Sequence, residues 1–232
     1  MMRRAFIAAG FALAALSGGL ATPALAADAP PPVTAQDHVL GRANARVTVI
    51  DKGNDGTVRL SHHGRLGVMF QEPRLLPWRT VEDNVRLAAP EASDAALDTL
   101  FGSLGLATHR QNFPGELSLG LARRVAMARA FAVEPDLLLL DEPFVSLDGA
   151  LAAQLVQALA DLVTRNPVTT LLVTHDIDEA INLADRVFLL SASPCRVIAE
   201  VPIDRPRSKR SPDEIAAIRK EIARRRDQPG AG

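Results

Sequence analysis

Apolar residues follow two rhythms along the chain. Short continuous runs alternate with longer stretches in which apolar positions recur every three or four residues. The runs at 66–70, 137–140, 171–173 and 186–190 are too short for helices. Being continuous rather than alternating, they predict strands buried on both faces of a sheet. Residues 47–50 and 57–60 are two further candidate strands, with turn residues at 52–56 between them. Helical spacing is found at 94–104 and 121–133, and Thr80 followed by Asp83 predicts a capped helix start at Val81. Ser211-Pro212 predicts another start, with Ile215, Ile218 and Ile222 along one face. Strands and helices alternate, so the predicted class is α/β with a mainly parallel sheet.

The beginning of the chain has a different pattern. Arg3 and Arg4 precede an apolar stretch at 5–16, and Ala24-Leu25-Ala26 offers a small-x-small cleavage site, so residues 1–26 are expected to be a secretory signal. Composition adds limits rather than a function. With 47% hydrophobic and 23% charged residues the 232-residue chain can bury one sizeable core. A net charge of −1 gives no global field toward nucleic acid, and no nucleic-acid partner is expected. Cys195 is the only cysteine, which excludes an internal disulfide, a Cys-x-x-Cys redox pair and a cysteine zinc site. The tail at 207–232 is basic, and Arg224-Arg225-Arg226 reads as a solvated helix end.

Residues 27–55 form a linker and lead segment. Within it, Asp37-His38-Val39-Leu40-Gly41 followed by Val47-Thr48-Val49-Ile50 resembles the leading end of periplasmic thiol-disulfide oxidoreductases. The Cys-x-x-Cys that should follow is absent, so an exported thioredoxin-like protein is the weakest functional alternative.

The chemistry is concentrated later. Leu137-Leu138-Leu139-Leu140 ends in Asp141-Glu142-Pro143, with Ser146-Leu147-Asp148 behind it, and Thr174-His175-Asp176 follows another apolar run. A buried parallel strand delivers such acids to the sheet's carboxyl edge, where α/β proteins place ligands. With Phe70-Gln71-Glu72-Pro73, Leu76-Pro77-Trp78-Arg79-Thr80-Val81 and Leu117-Ser118-Leu119-Gly120-Leu121, these motifs make residues 56–206 resemble the ATP-binding subunit of an ABC transporter, of the nitrate, sulfonate and taurine importer group. The resemblance implies a P-loop NTPase-like domain with a helical subdomain at about 81–133. It further implies ATP and Mg²⁺ as cofactors, a membrane-spanning permease subunit and a second ATPase subunit in a head-to-tail dimer as partners, and a place at the cytoplasmic face of the inner membrane. A used signal would instead put the chain in the periplasm. Carried over residue by residue, Asp141 and Gln71 would hold the metal, and Glu142 would orient or deprotonate the attacking water. His175 would face the γ-phosphate as a switch, and Ser118, Gly120 and Asp148 would meet nucleotide, the first two across the dimer.

One part of that pattern is missing. A P-loop needs GxxxxGK[ST], whose amides wrap the β-phosphate while its lysine neutralises charge. The three lysines are Lys52, Lys209 and Lys220, and none follows a glycine. The domain is therefore expected to be incomplete. Losing charge-assisted contacts worth about 1.5–3 kcal/mol each would weaken nucleotide binding by orders of magnitude. The alternative is a catalytically inactive pseudo-ATPase module or a chimeric gene remnant. A central strand and its helix are also expected to be missing, with residues 47–50 as one substitute.

Overall fold

The leucine run lies inside a six-stranded sheet. The computed structural model describes residues 6–9, 64–190, 197–205 and 209–227. Among these residues the strands are β1 (Phe6–Ala9), β2 (Leu66–Met69), β3 (Leu137–Asp141), β4 (Thr169–Val173), β5 (Arg186–Leu190) and β6 (Val197–Pro202). Their order is β2-β3-β4-β1-β5-β6, parallel throughout except for β6, which runs antiparallel to β5. The mainly parallel α/β class is thus observed. The candidate strands at 47–50 and 57–60 fall outside the described residues, as does Cys195.

The position between β4 and β5 is held by β1. Ala9 is in register with Val173 on one side and Phe188 on the other. These residues belong to the segment read above as a secretory signal. The structure uses part of that stretch as the central strand expected to be missing.

Six α-helices cover the sheet: α1 (Val81–Arg86), α2 (Asp94–Ser103), α3 (Leu119–Ala132), α4 (Gly149–Arg165), α5 (Ile177–Leu183) and α6 (Pro212–Asp227). In α4, Leu155, Leu159, Leu162 and Val163 are buried at helical spacing and seat it on the core. The expected start of α3 at residue 121 moves back to Leu119, because Ser118 is its N-cap and accepts from Leu121 N. Thr80 caps α1 as expected, accepting from Asp83 N. Ser211 and Glu214 form a reciprocal capping box on α6: Ser211 N donates to Glu214 Oε2 at 2.8 Å and Glu214 N to Ser211 Oγ at 3.3 Å. Ile222 is buried, with Ile215 and Ile218 packed beside it. At the end of α6 the guanidiniums of Arg224 and Arg225 both pair with Glu221 and pull its carboxyl down to about 2. Arg225 also donates to Glu200 O at 3.0 Å, tying α6 to β6. No helix among the described residues is long and apolar enough to cross a membrane.

β2 approaches α3 so closely that only glycine fits. A Cβ on Gly67 would lie 2.4 Å from Ala130 O, a backbone atom that cannot step aside. Since β2 leads directly to Gln71, this contact sets where that residue emerges.

Candidate nucleotide-hydrolysis site

Register explains which side chains meet. Met69 lies opposite Leu140, and Asp141 opposite Val173, so the chains leaving β2, β3 and β4 emerge side by side at one sheet edge. Gln71, Asp141, Glu142 and His175 are carried to that edge. Leu137, Leu138 and Leu140 are at most 1% exposed and anchor β3 beneath it.

Two residues after β3 take a left-handed backbone. Glu142 has φ 45° and Ser146 φ 63°, conformations that non-glycine residues rarely adopt and that cluster at functional sites. Glu142 N donates to Val173 O at 2.9 Å, which locks the turn onto the end of β4. From there Glu142 Oε2 lies 2.6 Å from His175 Nδ1. The hydrogen bond to Glu142, then its charge, raises the His175 pKa; burial opposes this, while Glu179 and Asp176 add to it. The ring stays 55% exposed and the Glu142 side chain 22%. With Glu142 ionised, Nδ1 is the donor and Nε2 is left for another partner.

Gln71 is exposed at the head of the loop 72–80. Arg123, 3% exposed, bridges its base, donating from Nη2 to Val145 O at 3.3 Å and from Nη1 to Phe70 O at 3.5 Å. Its Nε is the one buried side-chain polar atom among the described residues without a partner, and burial lowers its pKa. Arg129 donates to Pro73 O and Arg74 O, both at 2.8 Å. Asn84 accepts from Leu76 N at 2.7 Å and donates to Leu76 O, Arg79 O and Thr80 O. The loop is thus held from below while Trp78 stands 71% exposed, so core packing does not explain the tryptophan.

The remaining candidates are engaged structurally. Asp148 is the N-cap of α4, its Oδ1 accepting from Leu151 N at 2.9 Å. Ser118 Oγ accepts from Leu121 N at 3.3 Å. Gly120 is buried, and a Cβ there would meet Leu151 Cδ1 at 2.8 Å, so its small size serves the packing of α3 on α4. Leu119, beside it, is 46% exposed. Three residues with structural parts in the site have no role in the sequence motifs: Asn84, Arg123 and Glu179. Only the last carried a visible signal, the Asp-x-x-Glu pattern of Asp176 and Glu179 at a helix start.

Asp141 and Gln71 offer a carboxylate and an amide oxygen at the ends of adjacent strands, hard donors that suit Mg²⁺. No group of three His, Cys, Asp or Glu that could hold a metal occurs among the described residues. Such a pair fits an ion completed by water and substrate phosphates. The triphosphate fits less well, since nothing in the sequence supplies a GxxxxGK[ST] loop.

Fold and strand register together define a mainly parallel α/β protein of the P-loop NTPase-like class. A family model described as ABC transporter matches residues 37–145. That match begins inside the lead segment. The aliphatic sulfonates import ATP-binding protein SsuB 1 of Pseudomonas aeruginosa (strain UCBPP-PA14) is 42% identical over 179 residues, 76% of this chain and 71% of the relative. SsuB 2 of Burkholderia cenocepacia (strain HI2424) is 44% identical over 172 residues, 72% of this chain and 63% of the relative. The chain belongs to the ABC transporter family, and the relatives it is similar to are ATP-binding proteins of aliphatic sulfonate import. It spans about 63% of the length of the Burkholderia relative. Among solved structures, the ATP-binding cassette MJ0796, a dimer in a post-hydrolysis state with ADP and Pi, is similar at TM-score 0.51 and 29% identity, over 62% of this chain and 65% of that one. The cbiO1 protein of Clostridium perfringens, part of the transporter complex cbiONQ, shares the fold at TM-score 0.53 and 24% identity, over 68% and 64%.

Proposed function

We propose that this chain serves an importer of the aliphatic sulfonate class at the cytoplasmic face of the membrane, with the water-activating half of its nucleotide site built and the phosphate-gripping half impaired. The observation that carries this reading is the 2.6 Å contact between Glu142 and His175 at the ends of adjacent parallel strands, with Asp141 alongside. Mg²⁺, when bound, supplies charge neutralisation on the phosphates, and Asp141 and Gln71 are the residues to hold it. Glu142 orients the attacking water and accepts its proton, and His175 holds Glu142 in place while presenting Nε2 to the reacting edge. Trp78, on its braced loop, is offered to a permease subunit.

A second reading is favoured by the absent GxxxxGK[ST] loop and by Leu119 and Leu121 in the serine-containing motif. In it the chain hydrolyses nothing and lends Ser118 and Gly120 to the nucleotide of an intact partner in a head-to-tail dimer. Titration calorimetry of Mg-ATP into the purified full chain separates the two. Saturable binding with Kd below about 1 mM, some 4 kcal/mol, supports the first. No binding by a folded chain, with partner ATPase activity that rises on adding it and is lost on Ser118→Arg, supports the second.

A further inference from the structure

Behind His175 lies a clamp that the proposed chemistry does not use directly. Thr174 is 4% exposed, and its Oγ1 donates to Glu179 Oε2 at 2.6 Å while accepting from Asp176 N at 3.0 Å. Asp176 Oδ1 in turn accepts from Asp178 N at 2.7 Å and Glu179 N at 3.1 Å. Both neighbours of His175 are therefore fixed, one through its side chain and the other through its backbone and carboxylate. Glu179 is half-buried, and that burial raises its pKa.

We propose that Glu179 is a positioning residue for His175: through the Thr174 hydroxyl it holds the 174–176 turn in the arrangement that sets Nδ1 of the imidazole on Glu142. The mechanistic meaning of this clamp rests on the nucleotide-hydrolysis reading, whereas its geometry does not. A hydrogen bond fixing one ring nitrogen decides the tautomer and so the role of the other. Held this way, the neutral ring keeps its proton on Nδ1 and leaves Nε2 an acceptor at the reacting edge.

Charge offers a rival account. Glu142 at the end of β3 and Asp176 and Glu179 at the start of α5 all act on His175, and Arg226 of α6 lines the same cleft of about 130 Å³. Position and charge separate by substitution. Thr174→Val keeps the volume and every charge but removes the hydroxyl. Glu179→Ala removes both charge and hydrogen bond, and Glu179→Gln restores an acceptor without the charge. The ¹⁵N spectrum of the His175 ring in the folded full chain, with its signal identified by His175→Gln, reads the tautomer directly.

The wild-type ring is expected mainly as the Nδ1–H form. In Thr174→Val and in Glu179→Ala the ratio of Nδ1–H to Nε2–H drops about fivefold, the equivalent of one hydrogen bond, and Glu179→Gln recovers most of it. An unchanged ratio in Thr174→Val overturns the proposal, as does a Glu179→Gln ratio no higher than that of Glu179→Ala. The Glu179 pair decides the matter even if the buried Thr174→Val does not fold. Absence of Mg-ATP binding would remove the hydrolysis reading and leave this tautomer result standing.

Discussion

The two halves of the sheet differ in how their ends are equipped. At the carboxyl ends of β2, β3 and β4 the strands lead to Gln71, Asp141, Glu142 and His175, the candidate hydrolysis residues, and are anchored by the buried Met69, Leu137, Leu138, Leu140 and Leu172. On the other side of β4 the sheet is continued by β1, drawn from the apolar beginning of the chain, and the sequence holds no lysine-bearing phosphate loop. On the proposed reading, the two tasks of an ATPase are separable in the fold. Water activation needs only single residues at strand ends in correct register. Phosphate gripping needs a particular loop of backbone amides, which no strand can replace.

The largest expected effect tests β1 itself. Without it the sheet divides into β2-β3-β4 and the β5-β6 hairpin, exposing the flanks of both neighbouring strands. An isolated hairpin is marginal at best in water. A chain beginning at Ala27 is therefore expected to lose cooperative thermal unfolding, measured by circular dichroism against the full chain. Equal melting of the two would show that the sheet closes without residues 6–9. Next in size is Gly67→Ala, whose Cβ meets Ala130 O at 2.4 Å and must push β2 off α3. It should destabilise by about 1–3 kcal/mol, read as a lower urea midpoint.

The same contrast decides what could be read from the sequence. Asp141, Glu142 and His175 were legible because continuous apolar runs identify parallel strands, and residues following such strands fall at the ligand edge. Ser211-Pro212 and the isoleucines of α6 were legible because capping and periodicity are local. The helices α4 and α5 and the antiparallel β6 were not assigned individually, although α4 carries a clear apolar stripe. Local pattern could not reveal that an apolar signal-like stretch would supply a central strand, since a short apolar run serves export or a sheet equally well. Nor could it show that Arg123 bridges Val145 O and Phe70 O, or that Asn84 braces a loop eight residues earlier. Those depend on contacts formed only after folding.

A smaller effect concerns the brace under the loop. Asn84 is 1% exposed and satisfies Leu76, Arg79 and Thr80 at once. Asn84→Ala removes the side-chain partner of Leu76 N and Arg79 O, while Leu76 O keeps Arg79 N and Thr80 O keeps the Asn84 backbone N, at a cost of about 1–3 kcal/mol. The fluorescence anisotropy of Trp78, the only tryptophan, should fall as the loop loosens. Unchanged anisotropy together with the lost stability would place the brace's importance in α1 alone.

The smallest effect sharpens the comparison at the equipped edge, through its dependence on pH. The His175 pKa is raised in the folded chain by Glu142, so the pair's contribution to stability is fully present below the unfolded value of about 6.5 and fades as pH rises through the folded value. Glu142→Gln removes the charge and leaves an amide that can still accept from Nδ1. The stability difference between wild type and Glu142→Gln should therefore be greatest at mildly acid pH and shrink above the folded pKa of His175. With the ring more than half exposed, solvent screening keeps the difference small, within the range of exposed ion pairs, and added salt should reduce it further. A difference constant from pH 5 to 8, on the order of the range where histidine titrates, would mean that Glu142 is held by its backbone turn and the bond from its amide to Val173 O alone. In that case His175 would be free to leave it without energetic consequence.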